Sequence, residues 1–240
     1  TQKFVDRFAT RRLKLCLPAS RSGENPVVVK FDLDENAPAL VDDIFIEAEE
    51  GSRATVIVEY ASKDVAACHY GRTNILAHRG ADLTVVKVQM LGDKDSHFDA
   101  IGGFVEEDAR LSVITCELGS QNLTSSCNLV LHGDRSAASL DTLYLGHGTR
   151  SLDMSYRIEQ RGKKTCGNIR AKGVLTGRSK KIFRDTLDFV SGASGSRGRE
   201  EESVLMLSPY VGNISAPLLL CGEDDVEGEH ACSSGKPDDK

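Results

Sequence analysis

The chain has 240 residues, of which 40% are hydrophobic and 28% charged, and a net charge of −6; it is long enough to bury a large core and has the composition of an ordinary folded domain. The charge is uneven: the last nineteen residues, Gly222 to Lys240, carry seven acids against two lysines, and the rest is close to neutral. That leaves no basic patch to neutralise nucleic-acid phosphates and no apolar run long enough to span a membrane, while seven cysteines without close pairing argue for a reducing compartment over a disulfide framework.

Aromatic residues are scarce at 5%, tryptophan is absent and glycine reaches 22, so a core of Val, Leu, Ile and Ala with many turns leans towards β structure. Thr1 to Lys14 is basic and polar and lacks the apolar stretch of a secretion signal. The chain opens without methionine and stops in a charged stretch, which reads as an excerpt of a longer protein.

From residue 51 the sequence repeats. Gly51-Ser-Arg-Ala-Thr-Val, Gly80-Ala-Asp-Leu-Thr-Val, Asp108-Ala-Arg-Leu-Ser-Val and Arg135-Ser-Ala-Ala-Ser-Leu align, with starts 29, 28 and 27 residues apart. Apolar residues recur three positions on (Ala54, Leu83, Leu111, Ala138) and five positions on (Val56, Val85, Val113, Leu140). Period-2 alternation predicts a strand with one buried face in each copy. Near-constant spacing predicts a solenoid in which equivalent side chains stack between coils. The apolar columns then move to Ile57, Val86 and Ile114 and to Ala61, Met90, Leu118 and Leu145, which reads as a strand bending round a corner. A β-sandwich also alternates but need not keep columns in register, so a parallel β-helix fits better.

Beyond residue 148 the period loosens. Lys172-Gly-Val-Leu and Lys181-Ile-Phe read as strands, Gly192 to Glu202 as a flexible polar loop, and Val204-Leu-Met-Leu and Pro217 to Cys221 as strands again. No phosphate-binding loop, nucleophile elbow or His-Glu-x-x-His is present. Cys68 and His69 are strand neighbours and point to opposite faces. Cys116, Cys127 and Cys166 fit small buried hydrophobes, and His132 and His147 fall in turns. The stretch from Cys221 to Cys232 differs: two thiols, five carboxylates and the His230 imidazole lie within twelve residues. These are ligands that iron and zinc accept, at no structural-zinc spacing; the bland alternative is an acidic, solvated loop.

The order Lys172-Gly-Val-Leu, Ile182-Phe, Pro217-Leu-Leu-Leu and Asp225-Val-x-x-x-His230, with Thr142-Leu-Tyr-Leu-Gly146 earlier, resembles the core of the SufB/SufD family of iron–sulfur cluster assembly scaffolds, and is closer to SufD. The motifs are short; their order and spacing carry the match. The resemblance implies an all-β, right-handed parallel β-helix over residues 1–240 as a single domain, without the family's flanking helical segments. It implies a non-enzymatic scaffold in the cytoplasm that pairs with a SufB/SufD-type subunit along its terminal strands, as a homo- or heterodimer. The SufC-type ABC ATPase would dock through a C-terminal segment not included here. No tightly bound cofactor is expected, only a transient iron–sulfur cluster. The family's motif histidine maps to His230 as a ligand of the nascent cluster; Cys232, two residues on, would share its face in a strand and is a second candidate, whereas Cys221 sits in an apolar context that suggests burial. The competing readings are a β-helix enzyme acting on polysaccharide, disfavoured by the scarcity of aromatic platforms, and a purely structural subunit.

Overall fold

A computed structural model describes residues 2–19, 25–63 and 65–236. Thr1 of the basic leader and residues 237–240 of the acidic tail lie outside the described residues. Among those described there are one short helix, α1 (Gln2–Phe8), and seventeen strands: β1 (Arg11–Leu17), β2 (Val27–Leu33), β3 (Ala39–Ala48), β4 (Arg53–Ser62), β5 (Cys68–Ala77), β6 (Asp82–Met90), β7 (Ser96–Val105), β8 (Arg110–Glu117), β9 (Asn122–Leu131), β10 (Ala137–Gly146), β11 (Ser151–Gln160), β12 (Cys166–Leu175), β13 (Lys180–Phe189), β14 (Ser196–Met206), β15 (Gly212–Ser215), β16 (Leu218–Cys221) and β17 (Val226–Gly235). No helix of the described residues is long and apolar enough to cross a membrane.

Successive strands alternate between two parallel sheets. One runs β1-β3-β5-β7-β9-β11-β13-β15, with β16 also on β13; the other runs β17-β14-β12-β10-β8-β6-β4-β2. The chain is therefore a parallel β-helix, as the repeat predicts, with two strands per coil. Parallel strands in register place equivalent side chains on the same face, so the interior is built of columns. One column reads Val27, Val56, Val85, Val113, Leu140 and Ile169, then changes to Glu200 and His230. A second reads Val29, Val58, Lys87, Thr115, Thr142, Ala171, Glu202 and Cys232. From the opposite sheet, Ile44, Thr73, Ile101, Cys127, Tyr156 and Asp185 form a third. Each fully buried Val, Leu or Ile contributes about 1.5–3 kcal/mol of transfer free energy.

The start of each aligned repeat is a turn with left-handed backbone: Gly51, Gly80, Asp108 and Arg135 have φ of 69°, 66°, 58° and 58°. Glycine adopts this conformation without strain, and Arg135 is held there by bonds to both Asp108 oxygens at 2.7 Å.

Several sequence-based expectations change. The apolar columns do not mark a change of face: inward and outward residues alternate without a break through Ile57 of β4, Val86 of β6 and Ile114 of β8, all three facing outward, and Met90 and Leu118 are 48% and 40% exposed. The period holds at 29 residues from Asn122 through Ser151 to Lys180 and loosens only afterwards, to 31 residues from Cys166 to Arg197 and 32 from Lys180 to Gly212. Gly192 to Glu202 is not a loop throughout: from Ser196 it is β14, with Gly198 on the inner face, where Leu187 and Gln160 occupy the space a Cβ would need. The leader contains α1, tied to the outer face by Asp6–Arg72 at 2.7 Å and by Phe4 against Tyr70 at 4.8 Å.

Candidate functional site

Among the described residues β17 is the last strand of its sheet, with β14 as its one neighbour. His230 and Cys232 pair in register with Glu200 and Glu202. Those two acids face inward and are buried, so His230 and Cys232 sit on the inward face too. Both are nevertheless exposed, because no further coil among the described residues covers them. The described coils thus stop at a mouth lined by an imidazole and a thiol, and His230 and Cys232 share a face as the two-residue spacing implied. Cys221 is exposed, not buried as its Leu-Leu-Leu context suggested, since the strand carrying it is the last of its own sheet.

Below the mouth lies a polar floor. Glu202 accepts hydrogen bonds from Tyr144 Oη at 2.8 Å, Lys181 Nζ at 2.6 Å, Ser215 Oγ and, at 3.8 Å, Cys232 Sγ. Tyr144 reaches it from two coils away by lying over Gly173, where a Cβ would stand 1.9 Å from the ring. Burial pulls the Lys181 ammonium below its usual range, with Glu202 opposing the shift. Asp185, 4% exposed, is pushed up to about 6 by burial. Glu200, 0% exposed, is pushed up to about 8, first by burial and then by Asp185. Neither Glu200 oxygen has a hydrogen-bond partner; the backbone N–H of Leu187 favours its charged form without satisfying either oxygen. The His230 imidazole acts on Asp185 in the opposite sense to burial. Among the described residues no three His, Cys, Asp or Glu side chains are gathered as a ready metal-ligand set.

A second polar cluster lies deep in the solenoid. His69 and His97 approach through their Nδ1 atoms at 2.8 Å, the other ring nitrogen of His69 meets Asp42, and Lys87 Nζ meets Asp99 at 2.6 Å. His69 is inside and Cys68 outside, as strand alternation predicts. Cys127 is buried, and Cys116 and Cys166 are half-buried. On the outer face a groove of about 530 Å³ is lined mainly by apolar side chains, Leu118, Leu143, Val174 and Leu205 among them, with Tyr144 and Lys172 beside them.

The sequence points to His230 and Cys232 but misses Asp185, Glu200 and Glu202. The available signal was column position: Glu200 and Glu202 stand where the equivalent residues of earlier coils are Ile169 and Ala171. Reading Gly192 to Glu202 as a loop broke the register in which the change of residue type shows.

Comparison with known proteins agrees with this architecture. A family model described as "SUF system FeS cluster assembly, SufBD core domain" matches residues 31–240. The iron–sulfur cluster assembly protein SufD of Bacillus subtilis is 27% identical over 229 residues, covering 93% of this chain and 52% of that protein. The chloroplastic SufBD family protein ABCI8 of Arabidopsis thaliana is 22% identical, covering 92% of this chain and 41% of that protein. SufD of Escherichia coli is 22% identical, covering 81% and 46%. The chain spans about half the length of these relatives. With a parallel β-helix in register throughout and a family model matching most of its length, the chain belongs to the SufB/SufD family of iron–sulfur cluster assembly proteins.

Proposed function

We propose that this chain is the core of a non-catalytic scaffold subunit of a cytoplasmic SUF-type complex. It helps build or hold a nascent iron–sulfur cluster at its open end, opposite a SufB/SufD-type subunit. The observation that carries this reading is the mouth, where an edge strand presents His230 and Cys232 above a buried polar floor. An unpaired sheet edge is a ready template for another chain, and Ile214, Leu218 and Leu220 remain exposed on the terminal coil, as expected of a surface that a partner covers. Among the described residues no ready set of three ligands is gathered; a partner subunit facing the mouth would add ligands to those this chain offers. Imidazole and thiolate suit iron, and the cluster is cargo. A SufC-type ATPase would dock through sequence beyond this core, so the core alone is expected to show no ATPase activity and to bind that ATPase poorly.

The test is His230→Ala in the full-length protein, with cluster assembly in cells and melting temperature measured together. A ligand role predicts loss of assembly with the melting temperature within a few degrees of wild type. Normal assembly by His230→Ala would overturn the assignment; Cys232→Ser is expected to give a smaller defect.

A further inference from the structure

Glu200 is an anomaly in its column. The six positions before it are Val, Val, Val, Val, Leu and Ile, so the coil would be filled by another aliphatic side chain. Instead a carboxyl stands there with no exposure and with both oxygens unpartnered. Leaving a buried polar group unpaired costs about 1–3 kcal/mol, and more for a charge, and such violations of local rules concentrate at functional sites.

Its surroundings deepen the anomaly. Asp185, almost completely buried, faces it from β13 and repels it. Lys181, the ammonium on the same strand as Asp185, is bonded to Glu202 at 2.6 Å. Glu202 in turn takes donors from Tyr144 and Ser215 as well. Above Glu200, one strand further along the column, stands the exposed imidazole of His230. Two buried acids therefore lie against an open mouth, with the local ammonium already engaged by a third.

We propose that Glu200 and Asp185 form a carboxylate floor that takes a borderline divalent transition-metal ion of the ferrous class, with His230 turning inward from β17 to close over it. Carboxylate oxygen and imidazole nitrogen together suit Fe(II) and its neighbours in the transition series, and three protein ligands leave positions open for water or sulfide. His230 is exposed among the described residues, which leaves its side chain room to turn. This inference rests on reading the mouth as the cluster-handling end and goes beyond it, placing metal entry inside the last two coils instead of on the edge strand alone. It also separates two roles: Glu202 engages Cys232, while Glu200 and Asp185 serve His230.

The probe is Co(II), titrated anaerobically into the full-length protein and followed by its visible d–d bands. Wild type is expected to bind with oxygen and nitrogen ligation and without a strong sulfur-to-cobalt charge-transfer band. Glu200→Gln, Asp185→Asn and His230→Ala should each weaken binding at least tenfold. Glu200→Val, which continues the aliphatic column, should also lose the ion while the apo melting temperature holds or rises; this guards against loss by unfolding. Wild-type affinity in folded Glu200→Val and Asp185→Asn would overturn the floor. If His230→Ala nevertheless abolished cluster assembly, the reading of the mouth would stand without it.

Discussion

Glu117, on the inner face of β8, is buried with one carboxylate oxygen unpartnered. Burial first, and then Asp99, push it up to about 7. The folded chain thus binds this proton more tightly than the unfolded chain. The resulting stability is fully present below about pH 4.5 and lost as pH rises through about 7, an effect of about 3 kcal/mol at most. Glu117→Gln removes that slope. Urea unfolding at pH 5 and pH 8 should show wild type losing up to about 3 kcal/mol more than the variant. Equal losses would mean that Glu117 is hydrated in solution. His97 works in the opposite sense, since burial holds it well below its usual range; it disfavours the fold under acid and is common to both proteins, so the difference isolates Glu117. The sequence displays Glu117 as one acid among 36. What makes it unusual is the coil beneath and the coil above, and neither is visible without the register. His230 was legible because a motif names it, whereas Glu200 has no motif and stood in a stretch rich in glycine.

At the scale of elements, the four aligned repeats located β4, β6, β8 and β10 because their turn positions repeat with their inner columns. The later coils were harder to read for a physical reason: the charged residues Lys181, Asp185, Glu200 and Glu202 occupy inward, buried positions, so alternation of polarity fails while alternation of side-chain direction persists. The outer stripe of Ile57, Val86 and Ile114 misled in the opposite way, by placing apolar residues outside. Gly173 shows how closely neighbouring strands are fitted at this end. The Tyr144 ring fills the space above it, and a Cβ there would come within 1.9 Å. Gly173→Ala should displace Tyr144, weaken its bond to Glu202 and cost about 1–3 kcal/mol as an overpacked site. Tyr144→Ala in the same chain frees the space. The double variant should therefore be less destabilised than the sum of the singles, a coupling that a denaturant series measures directly. Additive singles would show that the ring moves aside without consequence.

For the whole molecule, a solenoid is stabilised by contacts between neighbouring coils, and each inner coil has two neighbours where a terminal coil has one. At the mouth the imbalance is marked. β15 and β16 are four residues each where the other strands of that sheet run seven to ten, and β17 is mostly exposed along its length. Local opening free energies fall where buried contacts are few. In this 240-residue core on its own at low concentration, amide hydrogen exchange should therefore be slowest in β5 to β12 and much faster in β15, β16 and β17. The buried Glu202 hub moderates this by tying Ser215 of β15 and Cys232 of β17 to Lys181 and Tyr144, so Glu202→Ala should speed exchange at both terminal segments together. Adding a SufB/SufD-type partner should slow exchange in β17 specifically, because its free backbone groups then gain a strand to pair with. Protection of β17 equal to that of β8 in the dilute monomer would show a terminal coil that needs no cover, and would remove the reason for placing the subunit interface there.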